Sequence, residues 1–183
     1  TKKIGKQMDT RTYSVNVLTD MKYRELTNTY IRLIDNCIKS AGECILLVPE
    51  IWFCTELIST LQTEFGDSIT LWHNKLTSSE KYKNWLLIRE GKTKLVIGTR
   101  SAVFVPFKNL KLIIVDNETD NSYKQISKPM YNAIELAKHR AQTNNAILVL
   151  GSRIPSLDSY LQSKQKTYTI LKPDALPATN LNV

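Results

Sequence analysis

The chain has 183 residues, enough for one well-cored domain and too few for two large ones. Apolar residues make up 42% of it, which excludes wholesale disorder, and no apolar run reaches the roughly 18 residues that span a bilayer. Lys and Arg number 25 against 17 Asp and Glu, a net charge of +8 that suits a polyanion such as nucleic acid. The cations come in small groups: Lys2, Lys3 and Lys6; Lys22 and Arg24; Lys81 and Lys83; Lys92 and Lys94; Lys138 and Arg140. Each group taken singly also reads as solvated surface. The start, "TKKIGKQMDTRTYS", has no apolar signal core, so a cytoplasmic location without membrane contact is expected. Opening on Thr1 and closing on "ATNLNV", the chain reads as excised from something longer. Cys37, Cys44 and Cys54 lack CxxC spacing and have only His73 and His139 to join them, which argues against zinc and fits a reducing compartment. Cys44, inside "ECILLV", reads as core.

Residues 1–12 read as a linker or tail, and 13–183 as a single domain. "YSVNVL", Tyr13 to Leu18, is a candidate first strand. From Thr27, Tyr30, Ile31, Ile34 and Ile38 recur at helical spacing, and "SAG" around Gly42 gives the stop. "ECILLVPE" predicts a continuously apolar strand ended by Pro49, and a helix follows over Trp52 to Phe65, stopping at Gly66. "SITLW" is strand-like. In "TSSEKYKNWLLIREG", Thr77 and Glu80 have capping-box spacing, Trp85, Leu86 and Ile88 supply a buried face, and Gly91 ends the helix. "KLVIG", "KLIIVD" and "AILVLG" are three more apolar runs, with a helix in "YNAIELAKHRA" between the last two. Strands without polar alternation, separated by helices, predict an α/β three-layer fold around a mainly parallel sheet. The loops after Leu18, Val48, Gly98, Val115 and Leu150 then form the working surface.

Those loops carry "LLVPEI", "IGTRSAVFVPFKNLKLIIVD", "SYKQ" and "GSRIPSLDS". In order and spacing they resemble the first RecA-like lobe of the primosomal replication-restart helicases, the primosomal protein N′ (PriA) family. The resemblance runs from about Tyr13 to Val183 and implies a RecA-like, P-loop NTPase-type domain. It also implies the family's setting: superfamily 2 DNA helicases that bind forked DNA, hydrolyse ATP between two such lobes and help reload the replicative helicase. The family's zinc-binding cysteine cluster lies in parts that this chain does not include.

Against that family the nucleotide motifs depart together. The phosphate loop needs G-x-x-x-x-G-K-[ST]: glycines bring backbone N–H groups to the phosphates, the Lys reaches the β- and γ-phosphates, and the hydroxyl holds Mg²⁺. The matching stretch is "DMKYRELT", Asp20 to Thr27. Asp20, Tyr23 and Glu25 fall at glycine positions, Leu26 falls at the Lys position, and Thr27 alone is kept. Lys22 and Arg24 offer only loose anion contact. The D-E-x-H motif reads Asp116, Asn117, Glu118, Thr119. Its metal carboxylate is present, but an amide stands at the general-base position, and an amide cannot take a proton from water. Glu118 is one step along, where its side chain turns to the opposite side. Taken alone, Asp116 also reads as a strand-end Asp tidying a turn. The G-S-A-T-P-S coupling motif becomes Gly151, Ser152, Arg153, Ile154, Pro155, Ser156. The aromatic-rich loop keeps Ser122, Tyr123, Lys124 and Gln125, but has Met130, Asn132 and Ile134 where the family carries Arg, His and Arg.

The DNA-facing loops depart less. Pro49 and Glu50, with Gly98, Thr99, Arg100 and Ser101, match family motifs that touch the DNA backbone, and short hydroxyls, N–H groups and one Arg suit phosphate contacts. His73 and Asn74 are weaker candidates, and Tyr123 with Lys124 is a candidate for base stacking beside a cation. Taken alone, Pro49 reads as a strand stop, Gly98 as a tight turn and Tyr123 equally well as a packed aromatic. The expectation is a DNA-binding or primosome-assembling platform without ATP-driven unwinding, acting on forked or single-stranded DNA with replication proteins. No cofactor is expected. Two alternatives stand beside it: an active 3′–5′ helicase with an atypical Mg-ATP site, in which Asp116 holds the metal, and a protein-interaction module without DNA binding.

Overall fold

The computed structural model describes residues 12–172. Most of the expected tail over 1–12, the cations Lys2, Lys3 and Lys6, and the domain's end beyond 172 lie outside the described residues. Seven strands form one sheet: β1 (Ser14–Leu18), β2 (Glu43–Leu47), β3 (Ile69–Trp72), β4 (Leu95–Gly98), β5 (Leu110–Asp116), β8 (Ile147–Gly151) and β9 (Thr169–Leu171). Two short strands, β6 (Lys124–Gln125) and β7 (Tyr131–Asn132), pair antiparallel outside it. The main sheet runs in the order β3-β4-β2-β5-β8-β1-β9, and its neighbouring strands are all parallel.

Every residue of β2, β4 and β8 is buried, whereas the edge strands β3 and β9 are mostly half-buried. A parallel strand covered on both faces has no polar side to display, hence the unbroken apolar runs. Along β2, Cys44 and Leu46 face one core while Ile45 and Leu47 face the other. The first core is closed by α1 (Tyr23–Lys39), through Leu33 and Ile34, and by α2 (Thr55–Phe65), through Leu57 and Leu61. The second is closed by α3 (Ser78–Arg89), through Ile88, and by α4 (Ala133–Thr143), whose Ala133, Ala137 and Ala141 meet the sheet one turn apart. This is the three-layer α/β arrangement that the apolar runs predict.

Local details differ from the expectation. Helix α1 begins at Tyr23 rather than near Thr27, because the Glu25 carboxylate reaches back to accept the Lys22 N–H at 2.8 Å and helix formation starts there. A 3₁₀ turn over Ile51–Cys54 precedes α2, which begins at Thr55 rather than at residue 52. On α3 only Ile88 is fully buried, while Trp85 and Leu86 are half-buried beneath the short edge strand. The capping box is present: Thr77 Oγ1 accepts the Glu80 N–H at 3.2 Å and Glu80 Oε2 accepts the Thr77 N–H at 2.7 Å. Helix α5 (Leu157–Lys164), strand β9 and the β6–β7 pair lie beyond the sequence expectation. Among the described residues no helix is long and apolar enough to cross a membrane.

Candidate nucleotide cleft and nucleic-acid interface

The loops at the C-terminal ends of β1, β2, β5 and β8 enclose a cleft of about 880 Å³ lined by Asp20, Lys22, Tyr23, Leu26, Asp116 and Arg153, among others. The phosphate-loop, D-E-x-H and coupling positions therefore do converge. Asp20 takes a left-handed backbone, φ 59°, a conformation glycine adopts freely and Asp tolerates. Its exposed carboxylate pairs with Lys172 at 2.8 Å, and its N–H donates to the Arg153 carbonyl at 3.3 Å. The Lys22 N–H, at the mouth of α1, is taken by Glu25. Leu26 is buried in the core rather than projecting a charge into the cleft. An anion brought here meets an N-terminal turn already holding its own carboxylate.

The Asp116 carboxylate ends β5 as expected, but a tyrosine occupies it. Tyr30, fully buried on α1, donates its hydroxyl to Asp116 Oδ1 at 3.0 Å. Burial lifts the Asp116 carboxyl above its ordinary range, only partly countered by the Tyr30 hydrogen bond. The same burial, with the Asp116 charge alongside, pushes the Tyr30 phenol well up. Cys54, which also lines the cleft, is pushed up to about 11 by burial and then by the Asp116 charge. Gly151 makes the approach possible, since a Cβ there would stand 1.8 Å from Tyr30 Oη. No local pattern announces this contact: Tyr30 has only the helical spacing of a core residue, and its partner is remote in the chain.

Asn117 follows with φ 50°, exposed, its amide oxygen accepting the Thr119 hydroxyl at 3.1 Å. Glu118 turns inward, away from the cleft: it is buried, and its Oε1 accepts the Ser156 N–H at 2.6 Å, tying the end of β5 to the entrance of α5. Ser152 is buried as well, its hydroxyl donating to the Ile154 carbonyl at 2.6 Å. Thr27 is half-buried in α1, while Arg24 is exposed on the same helix.

A second groove, of about 620 Å³, gathers Pro49, Glu50, His73, Asn74, Thr99, Arg100 and Ser101 from the ends of β2, β3 and β4. Lys75 and Lys81 line it too, so three cations face the single carboxylate of Glu50. Arg100 is held in place: Nε donates to Gln125 Oε1 at 2.6 Å and Nη1 to the Ser122 carbonyl at 3.0 Å. Gly98 is buried at the end of β4, where a Cβ would fall 2.2 Å from the Trp72 carbonyl oxygen. Tyr123 needs correcting as a stacking candidate. It is 1% exposed, its hydroxyl donates to the Asp116 carbonyl at 2.5 Å with the Leu47 carbonyl 3.1 Å away, and no base can reach it. Lys124 is exposed but does not line this groove; it borders a different hollow, with Glu118 and Ser156.

No family model matches the chain. It is 35% identical over 168 residues to the replication restart protein PriA of Bacillus subtilis (strain 168), covering 92% of this chain and 21% of that protein. The Chlamydia pneumoniae PriA is 37% identical over 169 residues, covering 92% and 23%, and the Helicobacter pylori (strain ATCC 700392 / 26695) PriA is 39% identical over 146 residues, covering 80% and 24%. The chain thus spans about a fifth to a quarter of the length of these relatives. Among solved structures, S. cerevisiae Dbp5 bound to RNA and ADP BeF3 superposes with a TM-score of 0.65 at 15% identity, over 90% of this chain and 42% of that one. Mss116p DEAD-box helicase domain 2 bound to an RNA duplex gives 0.63 at 15%, over 89% and 65%. At these identities the likeness is one of fold, that of RecA-like helicase domains.

Proposed function

This chain belongs to the replication restart protein PriA family, matching one RecA-like segment of it, and from that premise we propose that it is a DNA-binding platform of replication restart that no longer binds or hydrolyses ATP. It serves in the cytoplasm, alongside primosome proteins. The observation that carries this reading is the internal use of the groups a nucleotide needs: Glu25 holds the Lys22 N–H, and Tyr30 holds Asp116. The residues present do not fit Mg-triphosphate. No lysine follows the β1 turn at the expected position, Asp20 and Glu25 repel phosphate, and the Asp116 oxygen that would meet a metal shell accepts a phenol. The carboxylates near Asp116 are engaged as well: Glu118 accepts the Ser156 N–H, and Asp120, which also lines the cleft, accepts the Ser122 N–H at 2.8 Å. DNA binding is supported by the groove at Thr99, Arg100 and Ser101, where hydroxyls and an anchored guanidinium lie beside Lys75 and Lys81.

The test is a titration of fluorescent ATP with Mg²⁺ into the chain, followed by a hydrolysis assay with forked DNA. The expected result is no saturable binding at millimolar nucleotide and no DNA-stimulated turnover. Saturable binding with turnover would overturn the reading in favour of a working motor. DNA affinity should fall steeply with salt, with a log–log slope of roughly −0.9 for each phosphate neutralised on duplex. Affinity absent even at low salt would leave a protein-interaction module instead.

A further inference from the structure

Cys37 and Cys44 stand on the same side of the sheet, in the core beneath α1, and neither the nucleotide reading nor the DNA reading uses them. Cys37 lies in the last turn of α1 and Cys44 in β2, and both are fully buried. The chain doubles back between them. The Cys37 carbonyl accepts the Gly42 N–H at 2.8 Å, and Ala41 turns the corner in the left-handed region, φ 56°. That corner draws the two side chains together. Cys37 Sγ donates at 3.6 Å to the carbonyl of Glu43, the residue before Cys44, and a Cβ on Gly42 would fall 2.8 Å from the same sulfur. Cys44 Sγ donates to the Lys94 carbonyl at 3.4 Å. Burial raises the Cys44 thiol well above its ordinary range, and the Cys37 thiol beside it raises it further. Cys54 is placed differently: it lines the nucleotide cleft and responds to Asp116.

We propose that Cys37 and Cys44 form a modification site, oxidised by hydroperoxides to a disulfide that clamps the end of α1 to the central sheet. The inference stands apart from the DNA and nucleotide readings. A disulfide needs two thiols on neighbouring elements whose backbones already lie close, and this corner supplies them. A helix end beside a left-handed corner opens at lower cost than the central strands. Hydrogen peroxide is close to water in size, so a small opening admits it while a larger alkylating reagent stays outside. In the first step the Cys37 sulfur attacks one peroxide oxygen. An S–O bond forms, the O–O bond breaks, and water leaves with the thiol proton, giving a sulfenic acid. In the second step the Cys44 sulfur attacks the Cys37 sulfur. The S–S bond forms, the S–O bond breaks, and a second water carries off the Cys44 proton. Two electrons have then passed from the thiol pair to the peroxide. Burial keeps thiolate scarce, so the bond forms slowly, and excess small thiol returns it to the dithiol.

The experiment treats the whole reduced chain with millimolar hydrogen peroxide, folded and in urea, and maps the products by proteolysis and mass spectrometry. The folded chain should lose two hydrogen atoms and yield one linked peptide pair, carrying Cys37 and Cys44. Cys54 should remain free for alkylation once the oxidised chain is unfolded. Cys54→Ala should give the same bond, and Cys37→Ser should give none; because the mapping is done on the unaltered chain, a Cys37→Ser protein that fails to fold does not decide the matter. Closing this short loop should lower the unfolding equilibrium constant roughly 10- to 100-fold, read as a higher urea midpoint that excess thiol reverses. A bond that includes Cys54, a bond between two chains, or sulfinic acid in place of a disulfide overturns the site. So does a folded chain that peroxide leaves unchanged. The same single product from the chain in urea would show that proximity along the chain, not the fold, selects the pair, and also overturns it. An oxidised chain no more stable than the reduced one overturns the clamp.

Discussion

Tyr30 stands so close over Gly151 that a methyl group added to the glycine would come within 1.8 Å of its hydroxyl oxygen. Gly151→Ala must then push the ring off Asp116 or bend β8, at a cost of about 1–3 kcal/mol in urea denaturation. In a Tyr30→Phe background the nearest obstacle is gone and the next is a ring carbon at 2.9 Å, so the same substitution should cost less; strictly additive costs would show that the two residues do not meet. Asp116 gives a pH signature. Burial raises its folded-state pKa above the unfolded value of about 4, so the folded form binds the proton more tightly and stability is lost as pH rises through that interval. Asp116→Asn removes the charge yet keeps an oxygen for the Tyr30 hydroxyl. Its stability relative to the parent should therefore improve from pH 3 to pH 7, and a pH-independent difference between the two melting curves would count against the buried carboxylate.

At the level of elements, helix ends decide much of the local architecture. Thr77→Ala strips the α3 cap and leaves the Glu80 N–H without its protein partner, which should lower stability by about 1 kcal/mol in the same denaturation assay. No measurable loss would mean that water replaces the cap. The capping box was legible because both its residues lie within one turn. The central strands were legible because burial on both faces leaves only apolar residues, as in "ECILL" and "ILVLG". Strand β9 was not legible, since three half-buried residues carry no run and no alternation. The early start of α1 was hidden by reading "DMKYRELT" against a phosphate loop, when its Glu25 was equally a first-turn acid. The convergence of Asp20, Asp116 and Arg153 on one cleft was legible because each stands at or just after the C-terminal end of a parallel strand. What Tyr30 does there did not follow, because its hydroxyl meets a carboxylate 86 positions away in the chain.

Over the whole molecule, Cys37, Cys44 and Cys54 all lie in the core beneath α1 and α2, so thiol chemistry reports on the integrity of that layer. At pH 8 a Cys54 thiol with a pKa of about 11 holds only about one thiolate in a thousand. Alkylation of the folded chain should be slow at all three sites and accelerate with denaturant in step with unfolding; prompt labelling of any one would reveal a local opening. The sheet order has a further consequence, for synthesis. Of the seven strands of this sheet β1 leaves the ribosome first, yet its partners are the last two of the seven to be made: Ser14 pairs with Ile147, and Asn16 with Thr169. A chain ending at Asn145 can assemble β3, β4, β2 and β5 but must leave the apolar edge of β5 unpaired and β1 adrift, a species open to proteases and to chaperones. Within this sheet, the strand translated before the other six is in effect held in reserve until the last of them arrives.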